Sequence, residues 1–191
     1  MLTERIIGAL TFRRGVYAEV EADPTFTATA WIFVVIFALL NQLGSNASLN
    51  IFDWLVSTGI GFITAIAGFA IAAAVISWVG RRSFSAEVTF SELVRTMGLA
   101  SVWTAVGIFG ILAAFSNALS LILGPVIVIS WVALVAAWFV AVHEALALTW
   151  GKTILTVMIG FIPWAIFMSL TGIVLSLLGL TATGFGSLLG F

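Results

Sequence analysis

Five long apolar runs separated by short polar gaps constrain this chain more than anything else in it. A helix needs about 20 apolar residues to cross the hydrocarbon of a bilayer. Once there, its backbone polar groups must be satisfied within the segment. The runs cover about residues 24–43, 52–79, 93–115, 125–148 and 153–178, which predicts an all-α fold of five transmembrane helices in one domain. The seven basic residues alternate with these runs. Arg5, Arg13 and Arg14 precede the first, Arg81, Arg82 and Arg95 surround the gap between the second and third, and Lys152 separates the fourth from the fifth. Basic loops are retained on the cytoplasmic side. The expected topology is therefore N-terminus in, C-terminus out, in a multi-pass protein of the cell membrane.

Composition agrees with that reading. The chain is 62% hydrophobic and 8% charged, too little charge to cover a soluble domain of 191 residues. Its net charge of −1 supplies no broad basic face for nucleic acid. The absence of cysteine excludes disulfides, thiolate metal sites and thiol catalysis. Residues 1–23 carry charges throughout, so they read as an interfacial arm and not as a cleaved leader. Within the arm, Ile6, Ile7, Leu10, Val16, Tyr17 and Val20 form a face expected to lie on lipid, broken near Gly15. Arg13 and Arg14 are then expected at lipid headgroup level.

Local signals place the helix ends. Asp23-Pro24 is expected to open the first span and Gly80-Arg81-Arg82 to stop the second. Thr89 and Glu92 have capping-box spacing at the start of the third. Gly124-Pro125 is expected to open the fourth, with Pro125 in its first turn, and residues 149–152 to form the turn before the fifth. Pro163 is expected to kink that last span, and residues 180–191 read as an external tail. Small residues recur four apart at Gly61/Ala65, Gly68/Ala72 and Ala133/Ala137/Ala141/Ala145. In an α-helix that spacing stacks small surfaces on one face and lets another helix approach closely.

The order of spans, with three stretches, resembles the Yip family, five-span membrane proteins named for interaction with Ypt/Rab GTPases, and more closely its prokaryotic branch. The stretches are ERIIGALTFRRGVYAEVEADP before the first span, FSELVRTMGLASV leading into the third, and AVHEALALTWGKTILTVMIG between the fourth and fifth. The resemblance implies a membrane fold and no established reaction. The eukaryotic Asp-Leu-Tyr-Gly-Pro signature is absent, so GTPase binding is not carried over.

The charged inventory offers little chemistry. His143 is the sole histidine, which is too few ligands for a metal site; an axial pigment or haem ligand and an interfacial histidine remain the two readings. No Ser-His-Asp set or phosphate-cradling loop can be assembled, so no catalytic residue and no cofactor is expected. Arg81, Arg82, Glu92, Arg95, Glu144 and Lys152 form an expected cytoplasmic ionic cluster, with Glu144 paired to Arg95 or Lys152. Trp31, Trp54, Trp78, Trp103 and Trp150 fit interfacial anchoring. The functional expectation is a non-enzymatic scaffold or membrane-organising protein, whose partners are lipids and other membrane subunits or itself. Two alternatives stay open. One is an accessory subunit of a larger, possibly energy-converting complex. The other is a small-solute carrier lined by Ser57, Thr58, Thr64, Ser101, Thr104, Ser130, Ser169 and Thr171.

Overall fold

The computed structural model describes residues 2–177 and is helical throughout. Two short helices, α1 (Leu2–Leu10) and α2 (Val16–Glu21), precede α3 (Phe26–Ser45) and α4 (Ile51–Phe84). The third span is composite: α5 (Phe90–Ala100), a 3-10 segment (Ser101–Phe109) and α6 (Gly110–Ala114). Helices α7 (Asn117–Leu146) and α8 (Trp150–Leu177) complete the described chain. Among the described residues, five helices are long and apolar enough to cross a membrane. The expected tail at 180–191 lies outside the described residues.

The centre of the bundle is α5, which is buried from Leu93 to Ala100. Its start is cut by the expected capping box. The Thr89 hydroxyl accepts the Glu92 amide at 3.2 Å, and the Glu92 carboxylate accepts the Thr89 amide at 2.7 Å. Around it pack α2, α3, α4 and α7, with α1 at one side. The arm therefore does not lie on lipid along its whole length. Val16, Tyr17 and Val20 are fully buried in the protein core, while Ile7 and Leu10 remain exposed. Gly15, at φ 77, ends the link between the two short helices and turns the second one inward. The apolar face of residues 16–20 was legible, but a helix core and a lipid tail are equally apolar destinations.

The third span departs most from a plain α-helix. Gly98 packs against Ala30, Gly107 against Asn41 and Gly110 against Gly44, so the first and third spans run side by side. Twelve positions on one face fourteen on the other. At 1.5 Å per residue these would measure about 18 Å and about 21 Å. A 3-10 helix rises about 2.0 Å per residue, and nine residues of it lengthen the third span by about 4.5 Å, enough to keep register. The same winding places every third residue on one face. Gly98, Ser101, Thr104, Gly107 and Gly110 share that spacing. Ser101 and Thr104 close their hydroxyls on the carbonyls of Gly98 (2.6 Å) and Ser101 (2.7 Å), so the stripe presents little free polarity.

Several helix ends lie away from their expected positions. The first span begins at Phe26, because Asp23 folds back to accept the Thr25 amide and hydroxyl at 3.1 and 2.5 Å. Helix α4 runs past Arg81 and Arg82 to Phe84, and Ser85 in the left-handed region ends it. Gly80 serves packing there: a Cβ on it would meet Leu146 at 2.7 Å. Helix α7 starts at Asn117, capped by the Ser116 hydroxyl, so Pro125 lies inside the helix and not in its first turn. Helix α8 starts at Trp150, which absorbs most of the expected turn, and it continues through Pro163. Its antiparallel pairing with α4 is seen at Gly68, which packs on Trp164 and Met168, and at Gly160, which packs on Ile76.

Candidate functional site

Most of the charged side chains gather at the end of the bundle where the arm docks. Gly15 precedes the six residues of α2, and the carboxylate that caps this helix comes from α7. Glu144 accepts the Ala18 amide at 2.8 Å and the Gly15 amide at 3.4 Å. A carboxylate there satisfies orphan amides and complements the positive end of the helix dipole. Glu144 thus does not pair with Arg95 or Lys152; the peptide amides of the arm occupy it instead. Tyr17, one turn inside, is buried, and its hydroxyl has no hydrogen-bond partner among the described residues. Burial, with the nearby Glu144 charge, pushes the phenol above its ordinary range.

The other end of α2 is held by Arg95, which is only 5% exposed. Its guanidinium donates to the Glu21 carbonyl and, at 3.2 Å, to the Thr27 hydroxyl. It lies 3.8 Å from Glu92, one turn earlier on the same helix. One side chain therefore ties the arm, the first span and the third. Burial raises the Glu21 carboxyl, the Glu92 charge adds to the rise, and Arg95 opposes it. Farther out, Arg5 pairs with Asp23 and Arg13 with Glu19, both at 2.8 Å. The hydrogen bonds from Thr25, then that from Arg5, hold the Asp23 carboxyl below its usual value.

The expected six-member cluster is thus divided. Glu92 and Arg95 meet, Glu144 serves α2, and Arg81, Arg82 and Lys152 have no carboxylate partner among the described residues. The Nε of Arg81 donates to the Ser77 carbonyl at 3.4 Å, and Lys152 lies 5.8 Å over the Phe84 ring. Arg14 is exposed and also lacks a carboxylate. His143 stacks on Trp150 at 3.9 Å and shares a hydrogen bond of 3.2 Å between its Nδ1 and the Thr153 hydroxyl. Of the tryptophans, Trp78 and Trp150 are exposed at 62% and 50%. Trp103 stacks on Phe12 in the link between α1 and α2, and Trp31 packs on Phe69 and Phe90, so both serve contacts within the bundle.

The small-residue faces are used within the chain. Ala72, Ala137 and Ala141 are fully buried, Gly68 and Ala145 are buried, and Gly61, Ala65 and Ala133 are half-buried. Helix α7 packs on α5, the 3-10 segment and α6, with α2 and α8 also in contact. The contact that spacing by fours did not disclose is Gly44 against Gly107 and Gly110. Its signal was the spacing by threes in the third span. The candidate channel hydroxyls bind backbone: Thr64 to Ile60, Ser130 to Ile127 and Thr171 to Phe167, with Thr58 reaching the Gln42 carbonyl. Ser57 is buried with no hydrogen-bond partner among the described residues, and Ser169 is exposed.

Among known protein families, the Yip1 domain matches residues 7–174. No curated protein and no solved structure matches the chain.

Proposed function

The chain belongs to the Yip1-domain family of multi-span membrane proteins, and from that premise we propose that it is a non-enzymatic scaffold of the family's prokaryotic branch, seated in the cell membrane with its basic end toward the cytoplasm. Its family is generally non-catalytic. The observation that supports a scaffold is the docking of the arm. A segment that could be a loose tail is fastened by Glu144 at one end of α2 and by Arg95 at the other. A fixed surface meets a partner without the ordering cost of a flexible one. The arm and the ends of α4, α5 and α7 form that surface. In the membrane, α7 and α8 have the faces for other helices: only 11% of each apolar window is buried, against 39% in the third span.

The same uncovered faces suit an accessory subunit of a larger membrane complex, and one experiment separates the readings. A photoreactive amino acid is placed at Arg14 on the arm and, separately, at Ile129 or Val132 on the exposed face of α7. Irradiation of intact membranes is followed by mass spectrometry of the adducts. The scaffold reading expects discrete protein adducts from the arm and from α7, including further copies of this chain. Larger subunits in fixed ratio would move the assignment to the accessory role. Adducts to lipid alone at both positions would refute both.

A further inference from the structure

At the docking end Arg14, Arg81, Arg82 and Lys152 have no carboxylate partner among the described residues, and the last three lie where α4 ends and α8 begins. The antiparallel register brings this about. Gly68 meets Met168 and Gly160 meets Ile76, and the same pairing sets Lys152 over Phe84, within one turn of Arg81 and Arg82. Elsewhere at this end, Arg5, Arg13 and Arg95 each have an acid within 4 Å. Among the described residues no acid lies within 4 Å of these three cations, and Glu87, three residues past Phe84, is the nearest along α4 and its link.

We propose that this corner is a seat for the headgroup phosphate of an anionic glycerophospholipid, with Arg81, Arg82 and Lys152 as its ligands. Depth supports a lipid. Helix α4 has 34 residues, about 51 Å, and a hydrocarbon core is about 30 Å thick, so its last turns reach the headgroup layer. Two exposed indoles flank the corner: Trp78 about one turn before the arginines and Trp150 two residues before Lys152. Such rings settle at the membrane–water boundary. The side chains are also available. All three residues are exposed, and Arg81 is anchored to Ser77 through Nε, which leaves its terminal nitrogens without a partner among the described residues. Phe84 supports the Lys152 ammonium from below while its donors stay open. Guanidinium forks suit phosphate oxygens, and an ammonium adds a compact third charge. This site does not depend on the scaffold role.

The test uses the full chain in zwitterionic detergent with spin-labelled phosphatidylglycerol and spin-labelled phosphatidylcholine, comparing their association constants. The parent is expected to prefer phosphatidylglycerol. Each cation near the surface contributes about fivefold, so Arg81→Gln/Arg82→Gln/Lys152→Gln removes a preference of up to about a hundredfold. Lys152→Gln alone lowers it about fivefold and keeps the test open if the triple variant does not fold. Arg14→Gln, which removes an exposed charge outside the corner, leaves most of the preference in place. Saturating inorganic phosphate displaces little of the lipid, because the acyl chains also contribute. Equal binding of both lipids by the parent would overturn the proposal, as would a folded triple variant that keeps the preference. Equal losses from Arg14→Gln and Lys152→Gln would reduce it to general surface charge. Complete displacement by phosphate would make the corner a free-anion site and refute the lipid assignment.

Discussion

Replacing Gly44 by alanine tests the contact that sets the register of the first and third spans. A Cβ there would stand 1.8 Å from the Gly107 carbonyl oxygen, 2.7 Å from its carbon and 3.1 Å from the Ile108 Cα. All three atoms are backbone, so no rotamer change relieves the clash. Restoring an ordinary 3.4 Å contact moves the helices about 1.6 Å apart, which also opens the Gly110–Gly44 approach. Overpacking of a well-packed site costs about 1–3 kcal/mol, and rigid partners place this one at the upper end. Alanine returns about 1 kcal/mol through helix propensity. The net is a loss of about 2 kcal/mol, or a fall in Tm of about 4–8 °C for a chain of this size. The assay is thermal unfolding of the purified chain in mild detergent, followed by fluorescence-detected size exclusion. Gly59→Ala is the matched control, since nothing lies within 4 Å of a Cβ at that position. The reasoning fails if Gly44→Ala melts within about 1 °C of Gly59→Ala, because the propensity gain would then be the whole effect.

Two further outcomes are expected at the arm. Glu144→Ala removes the oxygens that accept the α2 amides; a lost cap costs about 0.5–2 kcal/mol, and tryptic cleavage after Arg14 should quicken about twofold to thirtyfold if cleavage follows arm opening. Unchanged cleavage would show that the cap does not hold the arm. Glu21→Gln should stabilise the chain at neutral pH, because the folded state raises this carboxyl through burial and the Glu92 charge. The folded state then holds the proton more tightly than the unfolded one, so the parent loses stability as pH rises above 4.5 through the folded value. The advantage of Gln should therefore vanish below about pH 4.5 and grow above it in paired melting curves. A constant advantage at all pH values would point to packing and not to ionisation.

Much of the membrane architecture was legible before any coordinates. Apolar length alone requires helices that cross, since a bilayer leaves the backbone no partner but itself. The Thr89–Glu92 cap was readable because both partners are local, three residues apart. The failures have a common cause. Arg81 and Arg82 resembled a helix stop, yet Ser85 ends α4, and Pro125 resembled a helix start although Ser116 begins α7. In each case a later or earlier residue could also cap, and packing chose between them. Residues spaced by fours share a face of α4 and of α7 because those helices are α; spacing by threes in the third span matters only once the helix is wound as 3-10.

The linear order of apolar and charged residues was sufficient for five spans with their basic gaps, because transfer from water to lipid is a sum over local segments. Whether Val16 and Tyr17 face lipid or protein was not decided by that sum, since both environments accept the same side chains. The bundle decided it by supplying Glu144 and Arg95 to the two ends of α2 from far along the chain. The bundle also decided the fate of the cations. Arg95 became a buried clasp and Lys152 stayed open, because partner geometry is a property of helix register and not of sequence neighbourhood.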